Sequence, residues 1–144
     1  MELIAFVIMP NHVHLLVNPL NDEPQIDKFL SAIKRPYSYR IKMELQQSNS
    51  SLLENLTVHE RPGKQVFRFW QEGPGYDRNL NSEKAVMSSI DYIHLNPVRK
   101  RLTEKSNQWK WSSASWYESN CEMIDTDLPT IHGLPPEFFS SQRV

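Results

Sequence analysis

Two short patterns in this chain put chemically active side chains where they can act together. The first is His12-Val13-His14. Residues two apart on a strand point to the same face, so a strand here lets two imidazoles converge on one divalent cation. Val13 and Leu15 then point to the other side of the sheet. Two ligands do not fill a coordination sphere, so a third group has to come from elsewhere. The alternative is two ordinary histidines near a turn. The second pattern is Tyr92 with Asn96. Four apart on a helix, they lie on one face, one turn apart, rotated away from the Val86/Ile90/Ile93 stripe. Tyr92 can then reach outward to a ligand, and Asn96 can offer an amide oxygen to a hard cation. The alternative is a tyrosine that only packs.

Taken together, the patterns describe phosphoryl transfer. A cation held by His12 and His14 polarises a phosphate oxygen and stabilises the charge that builds up on it. The phenol of Tyr92 attacks phosphorus and expels a deoxyribose oxygen. A free phenol ionises only near pH ~10, so the metal or a nearby base has to assist. The covalent product keeps the phosphoester energy, and a freed strand end can reverse the step onto the same or a different strand.

These groups need particular elements to carry them. Leu3 to Met9 is nearly all apolar and reads as a buried strand. Met9-Pro10-Asn11 supplies a turn, and His12 to Asn18 reads as a second strand, so the pair makes an antiparallel hairpin. After Pro24, the residues Phe29, Leu30, Ile33, Tyr37, Ile41 and Leu45 recur at helical spacing, with Pro36 expected to kink or split the helix. Gln47 to Lys64 is polar and reads as a flexible loop, with a helical turn at Leu52, Leu53 and Leu56. Val66 to Trp70 reads as a third strand and Tyr76 to Leu80 as a fourth. Asn81 or Ser82 caps a helix expected to run to about Asn96 and to stop at Pro97. Trp109, Trp111, Trp116 and Tyr117 are expected to pack a short C-terminal helix onto the domain. The expected organisation is one domain over residues 1–117 and an acidic, proline-containing tail over 118–144, partly disordered.

The bulk properties narrow the class. A chain of 144 residues with 39% hydrophobic content suits one compact core. No run approaches the roughly 20 apolar residues of a membrane span, and the start lacks the pattern of a signal peptide. Cys121 is the single cysteine, which excludes an intrachain disulfide, and the expected compartment is the cytoplasm. Net charge is −1, but residues 61–110 carry ten Lys/Arg against five Asp/Glu, and residues 118–144 carry five acids against Arg143. A basic middle suits a nucleic-acid face; the alternative is an ordinary mixed surface.

Four ordered blocks carry a family resemblance: Met9-Pro10-Asn11-His12-Val13-His14-Leu15-Leu16-Val17; Phe69-Trp70-Gln71-Glu72-Gly73 followed by Tyr76-Asp77-Arg78; Tyr92-Ile93-His94-Leu95-Asn96-Pro97-Val98-Arg99; and Trp109-Lys110-Trp111-Ser112-Ser113. In order and spacing the chain resembles the REP-associated tyrosine transposases, a branch of the HUH single-tyrosine transposases. The resemblance implies His12 and His14 as metal ligands, Asn96 as the third, Tyr92 as nucleophile, Mg²⁺ or Mn²⁺ as cofactor, and single-stranded DNA folded into hairpins as substrate. It implies an α+β fold, an antiparallel sheet with packed helices on the ferredoxin-like or RNA-recognition-motif plan.

Relatives normally carry a strand and helix before the Met-Pro-Asn strand, whereas this sequence starts at that strand. The expectation is a shortened domain or a sheet completed by a partner, hence a homodimer. Arg101 stands where a glycine is common. Candidate DNA contacts are Lys34, Arg35, Arg40, Arg78, Arg99 and Lys100. Those on the first helix, with Lys42, Tyr37 and Tyr39, read equally as a grip on DNA or as a solvated helix face. His59, His94 and His132 have no partner spacing and are assigned no role. Two rival functions remain: a relative that binds hairpin DNA without cutting it, and a His-x-His phosphodiesterase that uses water, with Tyr92 only packing.

Overall fold

The computed structural model describes residues 1–73, 75–122, 125–135 and 138. In chain order its elements are β1 (Glu2–Ile8), β2 (Val13–Asn18), α1 (Ile26–Gln47), α2 (Leu52–Asn55), β3 (Thr57–Arg61), β4 (Lys64–Phe67), α3 (Glu83–Arg99), a 3-10 turn (Ser106–Gln108) and α4 (Ala114–Glu118). The class is the expected mixed α+β with antiparallel strands. The described strands pair as two separate hairpins, β1 with β2 and β3 with β4. The chain forms two compact units, one of residues 1–22 with 79–144 and one of residues 23–78.

In the first unit, β1 is the central element. Its register with β2 includes Phe6↔Leu15, Val7↔His14 and Ile8↔Val13, with an irregularity between Leu3 and Ala5. Its other edge is covered by the chain after α3. The Ile8 N–H donates to the Trp111 carbonyl at 2.8 Å, and the Ser113 N–H donates to the Phe6 carbonyl at 3.0 Å. The tail contributes as well: the His132 N–H donates to the Leu3 carbonyl at 2.9 Å, and Leu134 packs against the core. Residues 132 and 134 of the tail expected to be partly disordered are therefore held in the first unit. Ile4, Ala5, Val7 and Met9 of the β1 segment meet Ile90 and Ile93 of α3, with Leu16, Val86, Trp109 and Tyr117 around them. Of the C-terminal tryptophans, Trp111 departs from the expected packing role: it is exposed, with the Lys110 ammonium over its ring.

Helix α3 begins where Ser82 caps it, its hydroxyl oxygen accepting the Ala85 N–H at 3.2 Å. It runs on through Pro97 to Arg99, instead of stopping at Asn96. A proline in a last turn forfeits a single backbone bond, and here its ring is fully buried, which offsets that loss. The end is a Schellman motif: Arg101 N–H to the Val98 carbonyl and Leu102 N–H to the Pro97 carbonyl, both 2.9 Å. Arg101 therefore holds the left-handed position, φ +57°, that explains why a glycine suits this site.

In the second unit, α1 is one helix of 22 residues that continues through Pro36. The cost of that proline is met without a break. The polar stretch read as a loop contains β3, paired with β4 through Val58↔Val66 and turned at Gly63, φ +78°. The third strand thus ends at Phe67, and Phe69 and Trp70 leave it to stack with Tyr37 of α1, ring centroids 5.2–5.7 Å apart. The Trp70 indole N–H donates to the Lys34 carbonyl at 3.0 Å. Tyr76 to Leu80, read as a fourth strand, is irregular: among the described residues it pairs with no strand, and residues 76–79 are exposed, so it has no buried face.

Candidate active site

The turn between β1 and β2 sets the first two groups. The Met9 N–H donates to the His12 carbonyl at 2.8 Å, which closes the loop around Pro10 and Asn11 and starts β2 at Val13. His14 then lies opposite Val7 and on the same side of the strand as Leu16, the side packed against α3. His12, two residues earlier, falls on that side too: the two ring centroids are 4.8 Å apart, edge to face at 80°.

Helix α3 brings the third group. The ring of Tyr92 lies 5.4 Å from that of His14, again edge-on, and Tyr92 is 46% exposed. Seven residues on, two helical turns away, the Arg99 guanidinium carbon sits 5.2 Å from the Tyr92 ring centre. His12, His14, Tyr92 and Arg99 are thus one cluster within the first unit. Asn96 is placed differently from the outward face expected for it, being only 4% exposed. A four-residue step on a helix overshoots a full turn by about 40°. Here that rotation carries Asn96 toward the side of Ile93 and Pro97.

One atom of the cluster stands out. His14 Nε2 is buried and has no hydrogen-bond partner among the described residues. An unsatisfied buried nitrogen costs about 1–3 kcal/mol, which makes it a candidate for binding something. Burial, and next the charge of His12, push the His14 imidazole below its ordinary pKa and favour the neutral, ligating form. His12 has its own fixed contact: Nδ1 is 2.6 Å from Asn11 Oδ1. Two imidazoles with lone pairs available fit a divalent cation, although the described residues contain no group of three or more His, Cys, Asp or Glu that would hold one unaided.

The basic candidates divide between the units. Arg99 and Lys100 close α3, both exposed, whereas Lys34, Arg35, Arg40 and Arg78 belong to the second unit. None of these six takes part in an ion pair among the described residues.

The sequence patterns missed two contributors. His94, given no role, holds α3 to β1 through Ser113. Its Nε2 is 2.8 Å from the Ser113 hydroxyl, which also accepts the Phe6 N–H at 2.9 Å. Burial pushes the His94 imidazole below its ordinary pKa, against the nearby carboxylates of Asp91 and Glu118. Asn11 was read only as a turn residue. The blocks Tyr92–Arg99 and Trp109–Ser113 contained both His94 and Ser113, but no spacing links residues 19 apart across an irregular connection.

Comparison with known proteins bears out the resemblance read from the motif blocks. Residues 1–60 match the family described as transposase IS200 like, a stretch that includes both histidines of the cluster. A Haemophilus influenzae protein, provisionally named a REP-associated tyrosine transposase, is 27% identical over 113 residues. That match covers 78% of this chain and 58% of the relative, so the chain spans under two thirds of that protein's length. Any 113-residue stretch of a 144-residue chain includes residues 32–113, so the match extends through Tyr92. No solved structure matches the chain.

Proposed function

We propose that this chain, similar to the IS200-like transposases, cuts and rejoins single-stranded DNA through a 5′-phosphotyrosine formed on Tyr92. The observation that carries the reading is the pairing of an exposed tyrosine with a buried, partnerless histidine nitrogen, ring centroids 5.4 Å apart. In the forward step the phenol oxygen forms a bond to phosphorus. The bond from phosphorus to the 3′ oxygen breaks, and that oxygen leaves as a 3′-hydroxyl, taking up one proton for the one the phenol gives up. Reversal by a 3′-hydroxyl, from the same or another strand, restores the diester and frees Tyr92.

His12 and His14 would hold the cation, Mg²⁺ or Mn²⁺, with Asn96 as the third donor implied by the resemblance. Once bound, the cation supplies Lewis-acid polarisation of the phosphate. Arg99, its guanidinium carbon 5.2 Å from the Tyr92 ring centre, would add positive charge near the attacking residue to favour an incoming phosphate. Arg99 and Lys100, with Lys34, Arg35, Arg40 and Arg78 of the second unit, are assigned to the DNA backbone. All but the half-buried Lys34 are exposed, and none of the six is in an ion pair among the described residues, which supports this. The substrate is a hairpin-forming single strand.

A homodimer is part of the same proposal. The outer edge of β2 has no backbone partner among the described residues, and Val13 and Leu15 beside it are exposed. Sedimentation should give a dimer at micromolar concentration; a strict monomer removes this element.

The test is labelled hairpin DNA with Mn²⁺, resolved on a denaturing gel, for wild type and Tyr92→Phe. The wild type should form a covalent protein–DNA adduct. The variant should bind DNA and Mn²⁺ normally and form no adduct. Cleavage persisting in Tyr92→Phe would transfer the attack to water.

A further inference from the structure

A neutral imidazole carries one proton on two nitrogens, and only the unprotonated nitrogen can bind a cation. Whatever fixes that proton decides which atom of His12 faces outward as a ligand. Asn11 Oδ1 lies 2.6 Å from His12 Nδ1. A carboxamide oxygen only accepts, so the proton belongs on Nδ1 and the lone pair on Nε2. The contact is built into the turn: Pro10 fixes its own φ, and the bond from the Met9 N–H to the His12 carbonyl holds the backbone on either side of Asn11. On the neighbouring histidine, the partnerless nitrogen is also Nε2.

We propose that Asn11 is a positioning residue: its side-chain oxygen locks His12 as the Nδ1–H tautomer and orients the ring so that Nε2 joins His14 in holding a divalent cation. The hold on the tautomer stands on the Asn11–His12 geometry alone; the consequence for cation binding rests on the reading that the histidine pair is a metal site. Partners of metal-binding histidines are commonly carboxylates or carbonyls and typically change affinity about 10- to 100-fold when removed. Asn11 is exposed and its side chain makes no other hydrogen bond among the described residues, so replacing it leaves the core of the first unit intact.

The experiment is imidazole ¹⁵N spectroscopy of the full chain without metal at about pH 8, where free histidine is neutral. Wild type, Asn11→Ala and Asn11→Asp are compared, with calorimetric titration of each by Mn²⁺ alone. The wild type should show His12 as the Nδ1–H form. Asn11→Ala should shift it toward the Nε2–H form and weaken Mn²⁺ binding about tenfold or more. Asn11→Asp keeps an acceptor oxygen in place and should restore both the tautomer and the affinity. An unchanged tautomer in Asn11→Ala, or failure of Asn11→Asp to restore it, overturns the proposal. If the tautomer responds as expected but the wild type takes up no Mn²⁺, the metal-site reading fails and the hold of Asn11 on His12 stands.

Discussion

Replacing His14 with leucine should make the metal-free protein more stable while removing its response to metal. The buried, partnerless Nε2 costs about 2 kcal/mol in the middle of the usual range, and leucine of similar volume has no polar atom to strand there. Leucine loses the edge contacts with His12 and Tyr92, about 0.5 kcal/mol each for partly exposed rings. The net gain is about 1 kcal/mol, or about 3 °C in Tm for a chain of this size. Mn²⁺ at a hundred times its Kd should stabilise the wild type by about 2.7 kcal/mol and leave His14→Leu unmoved, so the order of stabilities reverses on adding metal. Thermal unfolding with and without Mn²⁺, followed by circular dichroism, measures both effects. A variant less stable than wild type in the absence of metal would mean that Nε2 is paired in solution. A variant that still responds to Mn²⁺ would remove His14 from the site.

Two further outcomes follow from the first unit. Burial lowers the folded-state pKa of His94 below that of the unfolded chain, so its contribution to stability is complete above about pH 6.5 and is lost as pH falls through the folded value. Urea midpoints measured between about pH 7.5 and 5 should therefore fall less steeply in His94→Gln than in wild type, and identical slopes would refute the assignment. Arg101→Gly should raise stability by about 0.5 kcal/mol, the relief of a left-handed arginine less the entropy of an added glycine; a lower denaturation midpoint would contradict the Schellman geometry.

Local patterns carried much of the candidate site. The apolar run before Met9, the Pro10-Asn11 turn and the alternation after it are short-range features, and together they place His12 and His14 on one side of a hairpin. The Ser82 cap and the Val86/Ile90/Ile93 stripe likewise define α3 and leave Tyr92 outside its core face. The motif blocks added the family resemblance, because their order is itself a sequence property.

Long-range packing decided the rest. Residues 57–61 form a strand because Val58 finds Val66 across the Gly63 turn, although their own composition is polar. Pro97 stays within α3 because in the last turn it forfeits a single backbone bond and its ring is buried; the continuation of α1 through Pro36 has no such local explanation. Asn96 points inward because about 40° of helical rotation per four residues matters only once the position of the core is known. The His94–Ser113–Phe6 linkage joins three segments distant in the chain, and no periodicity announces it. The partnerless Nε2 of His14 is the clearest case: a residue name states that a nitrogen is present, but only the assembled surroundings decide whether anything is left to bind it.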